Sequence, residues 1–139
     1  MFETILGNEK NKQILQKSIQ NNTISHSYMF VGKKIIAKEF AKNILCLNQE
    51  NKNSNTICTC KSCIEFETNN NPDFSIIEPD GNSIKIEQIR ELQKRIQEKP
   101  IISNSKVYII DNADMMTQEA QNCLLKTLEE PPEYATIIL

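Results

Sequence analysis

Residues 106–132, KVYIIDNADMMTQEAQNCLLKTLEEPP, constrain the fold more than any other stretch of this chain. The first half reads as a buried strand. Val107, Tyr108, Ile109 and Ile110 are β-branched or aromatic, and Asp111 closes the run. A carboxylate at the carboxyl end of a parallel strand sits where open α/β sheets bind ligands. The second half reads as a helix. Thr117 suits its N-cap, and Glu119 suits the positive end of its dipole. Ala120, Cys123, Leu124, Thr127 and Leu128 recur at three- and four-residue spacing, which gives one apolar face. Pro131 and Pro132 stop the helix.

The same alternation runs through the rest of the chain. A helix is predicted over about 9–20, with Asn8 as its cap and Ile14, Leu15 and Ile19 as its stripe. Residues 26–32, HSYMFVG, read as a short buried strand that enters a turn. Ile36, Ala37, Phe40, Ala41, Ile44 and Leu45 fall on one face of a following helix. Phe74, Ser75, Ile76 and Ile77 form the next strand, between the turn Asn71-Pro72-Asp73 and the segment 78–82. Ile86, Ile89, Leu92 and Ile96 line another helix, which Pro100 ends. Residues 135–139, ATIIL, open a further buried strand. Strands alternating with helices predict an α/β fold, a parallel sheet with helices on both faces.

At 139 residues the chain is one domain or part of a larger one. A net charge of −2 argues against a nucleic-acid binder that works by bulk positive charge. Arg90, Lys94 and Arg95 read as a solvated helix face. No apolar run reaches membrane-spanning length and the first residues do not resemble a signal peptide, so a soluble cytoplasmic protein with no membrane partner is expected. His26 is the only histidine and has no partner nearby in sequence, so it reads as structural rather than as a general base.

Three of the five cysteines crowd into Cys58, Cys60 and Cys63, with Cys46 upstream at a helix end. In a reducing compartment such a cluster reads as metal binding before disulfide. Four thiolates close a tetrahedral structural zinc site, and a metal would pin a polar excursion too poor in apolar residues to fold alone. A zinc-binding insertion is therefore expected at about 46–71, with an asparagine-rich loop over 48–56. The plainer alternative makes Cys46 a buried helix residue and the others a free-thiol loop. Cys123 lies on an apolar helix face and reads as core.

Residues 32–39, GKKIIAKE, stand where a phosphate-binding loop would stand, between a strand and a helix. A working loop reads G-x-x-x-x-G-K followed by Ser or Thr: glycines let backbone N–H groups wrap the phosphates, and the hydroxyl ligates magnesium. Gly32 and Lys38 keep that spacing, but Ala37 replaces the second glycine and Glu39 the hydroxyl. An alanine disfavours the positive φ that glycine tolerates, and a carboxylate would repel a triphosphate. After Asp111, Asn112 stands where a catalytic glutamate belongs, and an amide cannot act as a base.

The combination of an aliphatic strand, Asp111-x-Ala113-Asp114 and then LLKTLEEPP resembles the Walker B region and following helix of bacterial DNA polymerase III clamp-loader subunits, which are AAA+ proteins. Phe2-x-x-Ile5-x-Gly7-Asn8, His26 ahead of its strand, and Ile86-x-x-Ile89-Arg90-x-Leu92 resemble other segments of that family. The resemblance covers nearly the whole chain. It implies a P-loop-type AAA+ core over 1–139 that stops before its last core strand, without the lid, the collar or the Ser-Arg-Cys motif that follow in the family. It also implies a small zinc module held by Cys46, Cys58, Cys60 and Cys63, although Ile57 stands where the family's first cysteine of C-x-x-C-x-x-C is expected and the gap from Cys46 is long. With Gly32, Lys38 and Asp111 as the remains of a nucleotide site, the chain is most similar to the stator, delta-prime class. That class does not hydrolyse ATP. It holds the gamma/tau and delta subunits and helps load the sliding clamp onto primed DNA. On that reading zinc is expected, ATP is not, and the chain itself is not an enzyme. The rival within the family is the ATP-hydrolysing gamma/tau motor. A third reading, a zinc-dependent nucleic-acid module, predicts a basic patch that the balanced charge does not supply.

Overall fold

The computed structural model describes residues 2–48 and 57–139. Helices and strands alternate: α1 (Glu9–Gln20), β1 (Ser27–Tyr28), α2 (Lys34–Leu45), α3 (Lys61–Glu67), β2 (Phe74–Ile77), α4 (Ile86–Ile96), β3 (Lys106–Ile110), a 3₁₀ turn (Ala113–Met115), α5 (Gln118–Glu129) and β4 (Ala135–Ile138). The four strands are parallel and lie in the order β1-β4-β3-β2.

β3 is buried along its whole length, and the alternation of its side chains divides the interior in two. Val107 and Ile109 join Ile138 on the face covered by α1 and α2, where Leu15, Ile19, Phe40 and Ile44 pack. Tyr108 and Ile110 join Ala135 and Ile137 on the opposite face, under Ile89, Leu92 and Ile96 of α4 and Ala120 and Leu124 of α5. Thr117 Oγ1 accepts the Ala120 amide at 3.2 Å and caps α5, and the helix ends ahead of Pro131. Lys106 is buried, yet its ammonium donates to the carbonyls of Arg95 and Glu98 at 2.6 and 3.1 Å, closing the end of α4.

Three elements differ from expectation. The strand expected over 26–32 shrinks to Ser27–Tyr28, although the ladder to β4 runs on from the His26 carbonyl to the Phe30 amide. β1 is not buried: Ser27 is exposed, Tyr28 is half-buried, and Val31, beyond the strand, is 96% exposed. Asn8 does not cap α1 with its side chain. Its backbone is left-handed, at φ 58°, rather than extended as capping requires. The cysteine stretch is not a bare polar excursion: it contains α3. Phe66 of α3 packs its ring 4.4 Å from that of Phe74, and Glu67 pairs with Lys42 of α2. The predicted loop over 48–56 lies, apart from Asn48, outside the described residues.

Candidate nucleotide cleft and metal centre

A cleft of about 690 Å³ opens at the carboxyl ends of β1, β4 and β3. Open parallel sheets bind ligands at this end. Gly32, Lys34, Ala37, Asp111 and Asn112 line it, and Lys38 does not. The phosphate-loop spacing read from Gly32 and Lys38 therefore does not translate into geometry. α2 begins at Lys34, two residues past Gly32, so Ile35, Ile36, Ala37 and Lys38 are already helical. Gly32, at φ 128°, makes the tight turn. Without glycines at 35 and 37 the following residues find helix cheaper than an open loop. Ala37 is buried in the core and Lys38 projects into solvent one helical turn beyond Lys34.

It is Lys34, not Lys38, that lines the cleft and reaches Asp111. Its Nζ lies 2.7 Å from Asp111 Oδ2 and 2.8 Å from Glu78 Oε1. The hydrogen bonds to Asp111 and then to Glu78 hold its ammonium above the ordinary lysine range. β3 positions Asp111: the strand ends at Ile110, and the Asp111 amide donates to the Ile77 carbonyl at 2.8 Å. Asn112 follows in a left-handed turn, at φ 52°. Glu39 is half-buried on α2, where burial pushes its carboxyl up despite Lys42 nearby and the Asn43 amide at 3.3 Å. Sequence spacing missed Lys34 and Glu78. The signal for Lys34 was present in the non-glycine residues at 35 and 37, whereas Glu78 carried none.

The second constellation comes together as read. The Sγ atoms of Cys46, Cys58, Cys60 and Cys63 all lie within 4.8 Å of one another, and Cys46 and Cys58 are 3.5 Å apart. Zn–S bonds of 2.3 Å in a tetrahedron set sulfur–sulfur separations of about 3.8 Å. Cys58 joins despite its displaced position in sequence. Cys46 and Cys63 are buried, at 6% and 3% exposure, while Cys58 and Cys60 form the outer side. The surroundings favour thiolate at Cys46 and Cys60 and the thiol at Cys63 and Cys58. The hydrogen bond from Cys63 and the Asn48 amide draw the Cys46 thiol down to about 5, and the same bond pushes Cys63 up. Burial works against ionisation of Cys60, but the amides of Cys63 and Leu47 outweigh it and hold that thiol low. Burial raises Cys58, whose sulfur accepts the Asn48 side-chain amide at 3.4 Å. Four sulfur donors with N–H groups turned toward them fit a structural zinc ion, whose chemistry here would be to cross-link four points of the chain.

A family profile described as DNA polymerase III, delta subunit, matches residues 7–139. The chain belongs to the DNA polymerase III clamp-loader family. It is 38% identical over 132 residues to the DNA polymerase III subunit delta′ of Bacillus subtilis, covering 91% of this chain and 39% of that protein. It is 38% identical over 145 residues to the subunit tau/gamma of Haemophilus influenzae, covering 99% of this chain and 20% of that protein. The chain thus spans well under half the length of these relatives. In structure it is similar to a DNA polymerase III gamma subunit-related protein of Thermotoga maritima, with a TM-score of 0.57 and 28% identity over 94% of this chain and 38% of that one. Both delta′ and tau or gamma names occur among clamp-loader relatives of this chain, the latter more often. The parallel α/β sheet with its cysteine cluster is the fold typical of AAA+-like clamp-loader subunits. Among the described residues, no helix is long and apolar enough to cross a membrane.

Proposed function

We propose that this chain is the core of a non-hydrolysing, delta-prime-type stator subunit of the replicative clamp loader. The observation that carries the reading is the ion pair of Lys34 with Asp111 and Glu78 at the start of α2. Hydrolysis of ATP needs a loop that wraps the phosphates, a hydroxyl and an aspartate on magnesium, and a group that orients water. Here the loop residues are helical, Glu39 stands for the hydroxyl, Asn112 stands for the base, and a lysine neutralises Asp111. As a stator the full-length protein would hold gamma/tau and delta subunits, and meet the sliding clamp and primed DNA through the assembled loader. Zinc would be its one bound cofactor.

A second reading, the gamma/tau motor, draws on the names most relatives carry. It requires Mg-ATP to displace Lys34 from Asp111. Calorimetry with Mg-ATP on the full-length protein, beside a phosphate-release assay, separates the two. The stator reading expects neither binding heat at millimolar ATP nor phosphate release. Micromolar binding abolished by Lys34→Ala or Lys38→Ala would overturn it in favour of the motor.

A further inference from the structure

Beside the cysteine cluster lies a buried polar chain that neither the cleft nor the metal site uses. Ser62 and Ser103 are 0% and 7% exposed, and their hydroxyl oxygens are 2.8 Å apart. Ser103 Oγ donates to the Leu45 carbonyl at 2.7 Å, which commits its single proton. The Ser62 hydroxyl must then donate to Ser103, and it accepts from Asn71 Nδ2 at 3.1 Å. The second Asn71 proton goes to the Ser62 carbonyl at 3.0 Å, and Asn71 Oδ1 accepts the Asp73 amide at 2.9 Å. Every donor runs one way, from Asn71 through Ser62 and Ser103 to Leu45. No proton is spare, so neither hydroxyl can turn without leaving a buried group unpaired.

Two links of this chain adjoin the two buried cysteines in sequence. Leu45 precedes Cys46, and Ser62 precedes Cys63. Its middle grips the α4–β3 loop. The Asp73 carboxylate, 1% exposed, accepts the amides of Ile101, Ile102 and Ser103 at 2.7, 2.8 and 2.7 Å. The Asp73 carbonyl accepts the Val107 amide at 2.9 Å, the first rung between β2 and β3.

We propose that the cysteine cluster is a conformational brace for the α4–β3 loop, coupled to it through the hydroxyl pair Ser62–Ser103. A metal that fixes Cys46 and Cys63 fixes the Leu45 carbonyl and the Ser62 hydroxyl together. Ser103 is held between them, and with it the loop that leads into the strand ending at Asp111. The module is therefore wired inward to the sheet. Binding free energy gained at four thiolates reaches amides about forty residues beyond Cys63, the last of them.

Hydrogen exchange on the zinc-loaded chain, before and after chelation under reducing conditions, tests this. Amides of Ile101, Ile102, Ser103 and Val107 are expected to lose protection, roughly tenfold or more, together with residues 57–67. Amides of α5 and of β4 are expected to keep theirs. In Ser103→Ala the loop should exchange fast already, and chelation should change it no further, while zinc stoichiometry stays at that of the unaltered chain. Loss confined to 57–67 would overturn the proposal, and so would a uniform loss across the sheet. If Ser103→Ala does not fold, Ser62→Ala makes the same comparison, and the chelation result on the unaltered chain decides without either variant.

Discussion

Lys34 and Lys38 sit one helical turn apart on α2, and the start of that helix decides which of them reaches Asp111. Both are legible in sequence as cations near a glycine; their roles are not, because the choice turns on the backbone between them. The Lys34 and Asp111 side chains are 33% and 25% exposed, so the pair is partly solvated and worth at most about 1 kcal/mol to stability. Asp111→Asn is accordingly expected to shift the denaturation midpoint only slightly, with Glu78 still pairing the lysine. Glu39 gives a sharper test. Burial raises its carboxyl above 4.5, so between that value and the raised one the folded chain binds more proton than the unfolded chain. Stability contributed by Glu39 is then present at low pH and lost as pH rises through the raised value. Glu39→Gln is expected to be more stable than the parent at pH 7, on the order of a few tenths of a kcal/mol as for most changes off the core. The advantage should vanish below pH 4.5 in urea melts taken across that range. The four cysteines were legible because soft donors at close spacing have few other uses in a reducing compartment. Ser62, Asn71, Asp73 and Ser103 were not, because small polar residues in a polar run read as surface until the fold buries them.

At the level of elements, the strands and long helices follow their hydrophobic pattern, except that Ile14, read into the stripe of α1, is 55% exposed. β2, β3 and β4 are short apolar runs, and α1, α4 and α5 repeat apolar residues with helical period. α3 escaped that reading. Its seven residues, KSCIEFE, carry no helical stripe; Phe66 against Phe74 and Ser62 against Ser103 fix its register instead. The short β1 and the early start of α2 escaped for a related reason, since pattern does not say which strand is the edge. α5 is anchored by Leu124, 2% exposed against the α4 face of the sheet. Leu124→Ala removes its contacts and leaves a cavity, with an expected loss of roughly 2–5 kcal/mol in chemical denaturation. The metal centre predicts its own stoichiometry. Protein purified without added metal should carry one zinc per chain by elemental analysis, and Cys63→Ser should lose it. Cys58→Ser, on the outer side of the cluster, should weaken zinc retention less than Cys63→Ser does.

Taken as a whole, the molecule places its two constellations on different parts of one sheet. The cleft occupies the carboxyl ends of β1, β4 and β3; the cysteines sit against the loops that enter β2 and β3. The alternation of elements made the parallel sheet legible, but the order β1-β4-β3-β2 is set by which faces pack, and that is long-range information. This order governs how the chain can assemble in time. Ser27 pairs with Ile137, about 110 residues later, so β1 has no strand to pair with until β4 has been made. Such distant pairing pays its loop-closure entropy late and folds slowly. The cysteines need only the short span from Cys46 to Cys63. Pulse-labelled exchange during refolding with zinc should therefore find the amides around Cys63 protected before those of Phe30 and Ile137. During synthesis the metal centre would close before β3 and β4 have been made, and so brace the loops that later receive them, while β1 waits for β4.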